Sequence, residues 1–327
     1  MSLPLSRRRL GALAAGVALA PLAAAAQSPP PGPALEKIEV LLDWKGLPTY
    51  AGFHIAREMG AFERRGIDVS FREVLGANVS IEEIGAGKTA WIGTSSGMAT
   101  AIGRARGLPV KSLAVYYRKT PSVIFTRAED RIAHPRDLYG KRLGIVAGSI
   151  TNEELRALFA INRLDLGKVE VVPVEWDTFA LLEKKVDALI DYEEMTPAEM
   201  LSDGRRLLLL RMSDFGVRTY SLNLVVNDTA WASPQRQALA RKVAEAVAEA
   251  YTMVAERPAD AAATFANIFP RLAPRYIDRS MGIVARQLGQ PPIGVQTRAG
   301  WQETLDLLSS LKLLPKPVTV DDVAIFD

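Results

Sequence analysis

The sequence contains no cysteine among its 327 residues and only two histidines, His54 and His134. The lack of cysteine excludes disulfide bonds, thiolate metal sites and a lipid-modified N-terminal cysteine. The two histidines lie far apart, one on a predicted helix and one in a turn, so they do not suggest a metal site or a catalytic pair. No phosphate-binding loop, Gly-x-Gly-x-x-Gly fingerprint or His-Glu-x-x-His motif is present. We therefore expect a protein that is not an enzyme, with no catalytic residues, no metal and no cofactor.

Neither basic nor acidic residues are in large excess. The chain has 40 Lys and Arg against 37 Asp and Glu, and the first 26 residues hold three arginines and no acid. Without them the balance becomes 37 against 37. A balanced charge gives no general attraction to nucleic acids or anionic membranes, so we expect neither as a partner.

The N-terminal residues have the order of an export signal. Arg7-Arg8-Arg9 precede an apolar run that ends at Ala24-Ala25-Ala26, and Gln27 follows. A charged region, an apolar region and small residues predict a signal peptide over residues 1–26, cleaved near Ala26. An uncleaved membrane anchor is the alternative, but the apolar run is shorter than the ~20 residues that a span requires.

Residues 27–35 are rich in proline and are predicted to form a linker. We expect a periplasmic protein without a lipid anchor. The paired arginines after Ser6 also resemble a twin-arginine signal, although Gly11 stands where that pattern prefers a bulky apolar residue. The export route therefore stays open.

Short apolar runs alternate with helical patterns over most of the remaining chain. The alternation runs from Ile38 to Tyr116 and again from Val123 to Leu210, whereas the chain beyond Ala230 is almost wholly helical. Strands that alternate with helices predict a parallel sheet covered on both faces. Two such series predict two lobes, and the last helices, which have no strands of their own, are expected to return to the first lobe.

A tryptophan at the end of the first predicted strand begins a series of family motifs. These motifs are Asp43-Trp44, Pro48, Tyr50-Ala51-Gly52, Ala56-Arg57-Glu58-Met59-Gly60-Ala61-Phe62, Gly66-Ile67-Asp68-Val69, Asp137–Gly144 and Lys185–Ile190. In this order they resemble the solute-binding proteins of ABC importers. More narrowly, they are similar to the group that carries thiamin pyrimidine precursors, riboflavin, alkanesulfonates, taurine and nitrate.

The resemblance implies the type II periplasmic binding protein fold, an α/β fold with parallel-rich sheets in two lobes. We expect residues 36–120 and 226–327 to form a discontinuous first lobe and residues 121–225 an inserted second lobe. Two crossings, near residues 117–127 and 219–228, would form the hinge, with the ligand in the cleft between the lobes. The expected partners are a small-molecule solute and the transmembrane subunits of an ABC permease, and we expect a monomer.

Candidate ligand-binding residues follow the carboxyl ends of the predicted strands, where α/β sheets bind ligands. In the first lobe they are Asp43, Trp44, Tyr50, Ser95, Ser96, Tyr116 and Tyr117. In the second lobe they are Gly148, Ser149, Thr151, Asp191, Tyr192, Glu193 and Glu194. The two serines could equally cap a helix, the acids could form a solvated turn, and Trp44 could cover the core. In carriers of pyrimidine precursors, the stretch that matches Asp191–Glu194 supplies an aromatic residue and a glutamate to the cleft.

The function expected from these residues is delivery of a small heteroaromatic solute, similar to a thiamin pyrimidine precursor or a flavin, to an ABC permease. An alkanesulfonate, taurine or another organic anion is the alternative solute, held at the helix starts after Ser95 and Gly148. Asp43, Asp191, Glu193 and Glu194 would repel an anion, and this favours the heteroaromatic solute. An enzyme of pyrimidine biosynthesis and a sensor module are further alternatives. The eukaryotic enzymes in this family are associated with a cysteine-rich run that this sequence lacks.

Overall fold

The computed structural model describes residues 34–146, 149–175 and 179–326. All elements below belong to one compact unit, Leu35–Asp327. The predicted signal peptide (1–26), most of the predicted linker (27–35) and Gly148 lie outside the described residues. None of the described helices is both long enough and apolar enough to cross a membrane.

The described chain forms two five-stranded sheets. The first sheet has the order β2-β1-β3-β10-β4, and its strands are β1 (Glu36–Leu42), β2 (Ile67–Glu73), β3 (Ile92–Ser95), β4 (Val110–Val115) and β10 (Asn223–Asn227). The second has the order β7-β6-β8-β5-β9, and its strands are β5 (Ser122–Arg127), β6 (Arg142–Val146), β7 (Glu170–Val174), β8 (Ala188–Tyr192) and β9 (Leu207–Arg211).

Each sheet combines parallel strands with one strand that runs against its neighbours. β1 pairs in parallel with β2 and β3, whereas β10 is antiparallel to both β3 and β4. In the second sheet β6 is parallel to β7 and β8, whereas β5 is antiparallel to β8 and β9. β5 and β10 are the strands that follow the two crossings. They enter from the other lobe without a crossover helix, and this connection does not impose a parallel orientation.

Twelve α-helices accompany these sheets in the described chain. They are α1 (Ala51–Glu58), α2 (Ala77–Ala86), α3 (Gly97–Ala105), α4 (Thr151–Ile161), α5 (Phe179–Leu182), α6 (Thr196–Ser202), α7 (Asp228–Trp231), α8 (Pro234–Glu256), α9 (Pro258–Ile268), α10 (Pro274–Leu288), α11 (Arg298–Ser310) and α12 (Val320–Val323). Ser233 caps α8 and Pro234 occupies its first turn, which are the residue types that favour a helix start.

The helices divide between the faces of the two sheets according to where their apolar residues fall. One face of the first sheet packs with α1, α8, α9 and α10, and the stripe Val243, Val247, Ala250, Val254 of α8 is fully buried there. The other face packs with α2, α3, α11 and α12. In the second lobe the buried residues of α4 cover one face and those of α5 and α6 the other. The C-terminal helices thus return largely to the first sheet.

The second crossing ends earlier in the chain than the sequence suggests. Residues 223–225 were predicted to end the inserted lobe, but they belong to β10, which hydrogen-bonds between β3 and β4. The apolar run around β10 cannot show which sheet it joins, because both sheets bury similar residues. The remaining bounds of the two lobes stay a prediction.

Candidate functional site

A cavity lies between the two lobes, at the carboxyl ends of β1, β6 and β8. The first lobe contributes Asp43, Trp44, Thr49, Tyr50, Gly76 and Ala77, and the second contributes Val146, Ser149, Ile150, Thr151, Ile190, Asp191, Tyr192 and Met195. About 70 Å³ of the cavity is accessible to water. One bound water needs roughly 10–15 Å³ of such volume, so the cavity has room for a few waters or a small ring.

Asp43 is held at the cavity wall by two hydroxyl groups. Tyr50 Oη donates to Asp43 Oδ1 at 3.0 Å, and Thr94 Oγ1 donates to the same oxygen. Oδ2 receives no side-chain hydrogen bond from the described residues. Burial raises the pKa of Asp43, and the bonds from Thr94 and Tyr50 only partly offset that effect. One carboxylate oxygen is therefore left to accept a hydrogen from a bound molecule.

On the opposite wall, Asp191 is occupied by backbone donors. Its Oδ1 accepts from the amide of Tyr192 at 2.7 Å, and its Oδ2 accepts from the amide of Thr196 at 3.1 Å, at the start of α6. Burial raises the pKa of Asp191 to about 7. The Tyr192 side chain also lines the cavity and hydrogen-bonds Ser221 of the second crossing. Asp191 thus stabilises the backbone conformation at the end of β8, and this places the Tyr192 side chain at the cavity.

Glu194 lies behind the cavity and joins the two lobes. Its side chain is fully buried, and Oε1 accepts from Thr49 Oγ1 at 2.9 Å and from Tyr117 Oη at 3.4 Å. Its Oε2 is buried without a hydrogen-bond partner. Burial raises the pKa of Glu194 to about 7. The predicted glutamate therefore acts on the cavity through Thr49, which lines it, and does not line the cavity itself.

Four buried carboxyl groups surround the cavity without a basic partner. Asp43, Asp191 and Glu194 are joined by Glu154 of α4, which accepts a 2.5 Å bond from Ser122 Oγ and whose pKa burial raises to about 7. None of the four forms an ion pair with a described residue. Unpaired buried carboxylates repel anions and attract cations or hydrogen-bond donors. The charge of this region favours a neutral or cationic ligand.

The chain was compared with models of protein families. The model described as NMT1/THI5 like matches residues 47–261, which is more than half of the chain. The chain belongs to this family. The matched segment includes Thr49, Tyr50 and the whole second-lobe wall of the cavity.

Curated relatives in this group carry two kinds of name. The formylaminopyrimidine-binding protein of Halalkalibacterium halodurans is 24% identical over 297 residues, which cover 88% of this chain and 89% of the relative. A 4-amino-5-hydroxymethyl-2-methylpyrimidine phosphate synthase of Uromyces fabae is 27% identical over 209 residues, covering 60% of each protein. The group thus contains named binding proteins and named synthases.

Among solved structures, the alkanesulfonate-binding protein SsuA from Xanthomonas axonopodis pv. citri, bound to MOPS, has a similar fold. It aligns with a TM-score of 0.70 and 18% identity, covering 90% of this chain and 98% of that one. This likeness and the two-lobe arrangement confirm the predicted periplasmic binding protein fold. At this identity it gives no information on the ligand.

Seven candidate residues line the cavity, namely Asp43, Trp44, Tyr50, Ser149, Thr151, Asp191 and Tyr192. Of the other candidates, Gly148 is outside the described residues, and the remaining six do not line this cavity. Ser96 caps α3 by accepting from the amide of Ala99 at 3.1 Å, and Ser95 donates to the carbonyl of Ala77 at 3.1 Å. Tyr116 is buried in the first lobe, its ring 5.1 Å from that of Tyr251. Both serines satisfy backbone groups, as their positions at a strand end and a helix start permit.

Of the remaining candidates, Tyr117 is buried and contacts Glu194. Glu193 points away from the cavity and pairs with Arg211, with both nitrogen–oxygen distances at 2.7 Å. Glu193 does not line this cavity, because the chain turns after β8 and no longer alternates between two faces. That it binds the ligand stays a prediction.

Gly93–Gly97 has the Gly-x-Ser-x-Gly spacing of a nucleophile elbow, in a strand-to-helix turn. Its central residue, Ser95, is 1% exposed and bonded to Ala77. Gly97 serves a packing role, because a Cβ there would lie 2.6 Å from the carbonyl oxygen of Tyr220. Neither histidine hydrogen-bonds Ser95. His54 is buried against Phe71 and Phe269, and burial lowers its pKa to about 4.

The candidate residues chosen from the sequence included neither Thr49 nor the apolar residues that line the cavity. Thr49 lies in a 3-10 turn, Pro48–Tyr50, just before α1, and donates to Glu194. Ile150, Ile190 and Met195 also line the cavity. The position of Ile190 at the end of β8 was a usable signal. Nothing local distinguishes Thr49 from an ordinary cap, since its partner lies 145 residues away.

Proposed function

We propose that this protein is a periplasmic solute-binding protein that delivers a small heteroaromatic solute, neutral or cationic, to the transmembrane subunits of an ABC permease. The solute would resemble a thiamin pyrimidine precursor or a flavin. It would bind as a monomeric protein closes its two lobes, and no chemical change of the solute is proposed.

One observation carries this proposal. The interlobe cavity combines three aromatic side chains, Trp44, Tyr50 and Tyr192, with buried carboxyl groups that have no basic partner. Flat aromatic surfaces stack on heteroaromatic rings, and the free oxygen of Asp43 can accept a hydrogen from a ring amino group or a protonated ring nitrogen. The pyrimidine named in the binding relative has this chemistry, which supports the same class of solute here.

Stacking alone does not account for tight binding. A base on an aromatic side chain is worth roughly 1–3 kcal/mol, whereas a micromolar Kd requires about 8 kcal/mol. Hydrogen bonds to Asp43 and closure of the lobes must supply the rest. Closure is consistent with a cavity built from both lobes, since a solute held between them contacts all of its wall only when they come together.

An organic anion remains the second candidate because of the start of α4. Ser149 and Thr151 line the cavity there, and their hydroxyl oxygens lie 2.7 Å apart. Hydroxyls at the N-terminus of an 11-residue helix can hold a sulfonate. Glu154 of the same helix and Asp191 opposite oppose this, since both are buried carboxyl groups without a basic partner.

Direct titration separates these candidates. The purified protein is titrated by calorimetry with formylaminopyrimidine, riboflavin, taurine and an alkanesulfonate. We expect saturable binding of at least one of the first two and none of the last two. Small-angle scattering at saturation is expected to show compaction. Saturable binding of a sulfonate, with no heteroaromatic bound, would overturn the proposal.

A pyrimidine-forming enzyme and a sensor module are tested with the same material. Chromatography of a bound heteroaromatic solute after prolonged incubation is expected to return it unchanged. A new product would favour the synthase named among the relatives. Ligand-dependent capture of a receptor ectodomain, with no stimulation of a permease, would favour the sensor.

The proposal includes export through the signal peptide, with Gln27 as the first residue of the mature protein. N-terminal sequencing of periplasmic protein checks the cleavage site. Replacing Arg7 and Arg8 by Lys is expected to reduce export if the twin-arginine route is used. Undiminished export of that variant would assign the general secretory route.

A further inference from the structure

A second depression between the lobes has the opposite charge to the cavity. It lies between β9 and α6 of the second lobe and α10, which packs on the first sheet, and we name it the arginine groove. Its charged lining residues are Glu193, Arg211, Arg275, Asp278, Arg279 and Arg286. About 660 Å³ of the groove is accessible to water, far more than in the cavity.

Two of its arginines, one from each lobe, are held in place by short contacts. Arg211 Nε and Nη2 each lie 2.7 Å from a carboxylate oxygen of Glu193, which is only 4% exposed. Across the groove, Arg279 Nε donates to Ser202 Oγ at 3.2 Å, and Ser202 Oγ donates to the carbonyl of Ala198 at 2.7 Å. Nη1 of Arg211 and both terminal nitrogens of Arg279 have no acceptor among the described residues. The two guanidinium groups are thus oriented in advance and still have donors to offer.

The positive charge of the groove is not balanced from within. Four arginines line it against two acids, and Glu193 is already shared by Arg211 and, at 3.6 Å, by Arg286. Arg275 and Arg279 form no ion pair with any described residue, and neither does Asp278 beside them. Arg275 and Arg279 are four residues apart on one helix, where like charges are neighbours and repel each other. An external anion would remove that repulsion.

We propose that the arginine groove binds a small anion with two or three carboxylate or phosphate groups, which bridges the two lobes. Guanidinium groups hold such oxyanions through paired N–H donors. Leu201, Leu209 and Ile283 give the groove an apolar part that suits the carbon skeleton of a polycarboxylate. Since Arg211 and Arg279 belong to different lobes, the anion stabilises the lobes in their present arrangement.

The experiment titrates the full-length protein with citrate and, separately, with inorganic phosphate, at constant ionic strength. Calorimetry is expected to show one citrate per protein, with a raised Tm, and acetate at the same ionic strength is expected to have no effect. A response to both citrate and phosphate indicates a general oxyanion site, and a response to citrate alone indicates a polycarboxylate site. Absence of saturable binding by both anions overturns the proposal.

Three double substitutions test whether the anion binds in the arginine groove. Arg275→Gln/Arg279→Gln is expected to weaken anion binding at least tenfold. Arg205→Gln/Arg206→Gln removes the same charge from exposed residues outside the groove and is expected to change it less than twofold. Arg275→Lys/Arg279→Lys keeps the charge but loses the paired donors, so an intermediate affinity is expected. Equal weakening by the two Gln pairs, or unchanged affinity in the groove pair, overturns the assignment. Circular dichroism and the Tm without anion confirm that each variant is folded.

Discussion

The interlobe cavity and the arginine groove lie on either side of the same short segment, yet their charges are opposite. Tyr192 and Met195 face the cavity, Glu193 faces the groove, and Glu194 is buried between them. In the cavity, carboxyl groups are buried without cations, whereas in the groove, guanidinium groups outnumber acids. The comparison shows that the sign of unpaired charge, more than the number of charged residues, indicates which ligand each region can hold.

The largest expected difference between the two regions is their response to pH. Burial raises the pKa of Glu154, Asp191 and Glu194 to about 7, from ordinary values of 4.5 for Glu and 3.8 for Asp. Between about pH 4.5 and 7 these three groups hold protons in the folded protein that the unfolded chain has lost, so their contribution to the free energy of unfolding falls as the pH rises. His54, whose pKa burial lowers to about 4, acts in the opposite direction below its ordinary pKa of 6.5. At about 1.4 kcal/mol per pKa unit, each glutamate accounts for roughly 3.5 kcal/mol and Asp191 for roughly 4.5 kcal/mol.

Urea unfolding at several pH values from 5 to 8 measures this dependence. Asp187 and Asp321, whose pKa values are lowered by hydrogen bonds to Arg142 and Arg298, lose their contribution only below their ordinary pKa of 3.8 and do not disturb the range. Glu154→Gln and Glu194→Gln are each expected to flatten the curve, and Arg275→Gln/Arg279→Gln to leave its slope unchanged. A wild-type stability that rises with pH above about 6.5, where His54 no longer contributes, would contradict the assignment.

Removal of the Trp44 ring is the next largest change, and it should affect only the cavity. Trp44 lines the cavity and packs partly against the first-lobe core. If it stacks on the solute, Trp44→Ala weakens solute binding by roughly 1–3 kcal/mol, or about ten to over a hundred-fold. Citrate binding at the groove is the internal control and is expected to stay unchanged. A loss of roughly 3–5 kcal/mol in stability with unchanged solute affinity would instead identify a core residue.

Parts of the molecule built from local periodicity could be predicted from the sequence. The chain beyond Ala230 is almost wholly helical, as predicted, Asp43-Trp44 follow β1, and Asp191-Tyr192 end β8 at the cavity. Parallel strands bring their carboxyl ends to one edge, so these positions needed no long-range information.

The rest depended on contacts between distant segments. Thr49 meets Glu194 across the lobes, and Arg211 of β9 meets the arginines of α10 only because α6 packs on α10 through Ala198, Tyr276 and Ile283. Adjacent acids such as Glu193 and Glu194 look equivalent in the sequence. The turn after β8 sends one to the groove and buries the other.

The smallest expected effect comes from a single hydroxyl group, and it tests how Asp43 is held. Tyr50→Phe removes the 3.0 Å bond to Asp43 Oδ1 and leaves the bond from Thr94. Because a neutral hydrogen bond contributes about 1 kcal/mol net, solute affinity is expected to fall about fivefold. Tyr116→Phe is the matched control, since Tyr116 is also fully buried but its hydroxyl makes only a 3.4 Å contact with the carbonyl of Ala244, outside the cavity. Calorimetry of both variants with the same solute gives the comparison. Equal affinities for the two would mean that the Tyr50 hydroxyl does not position Asp43 for the ligand.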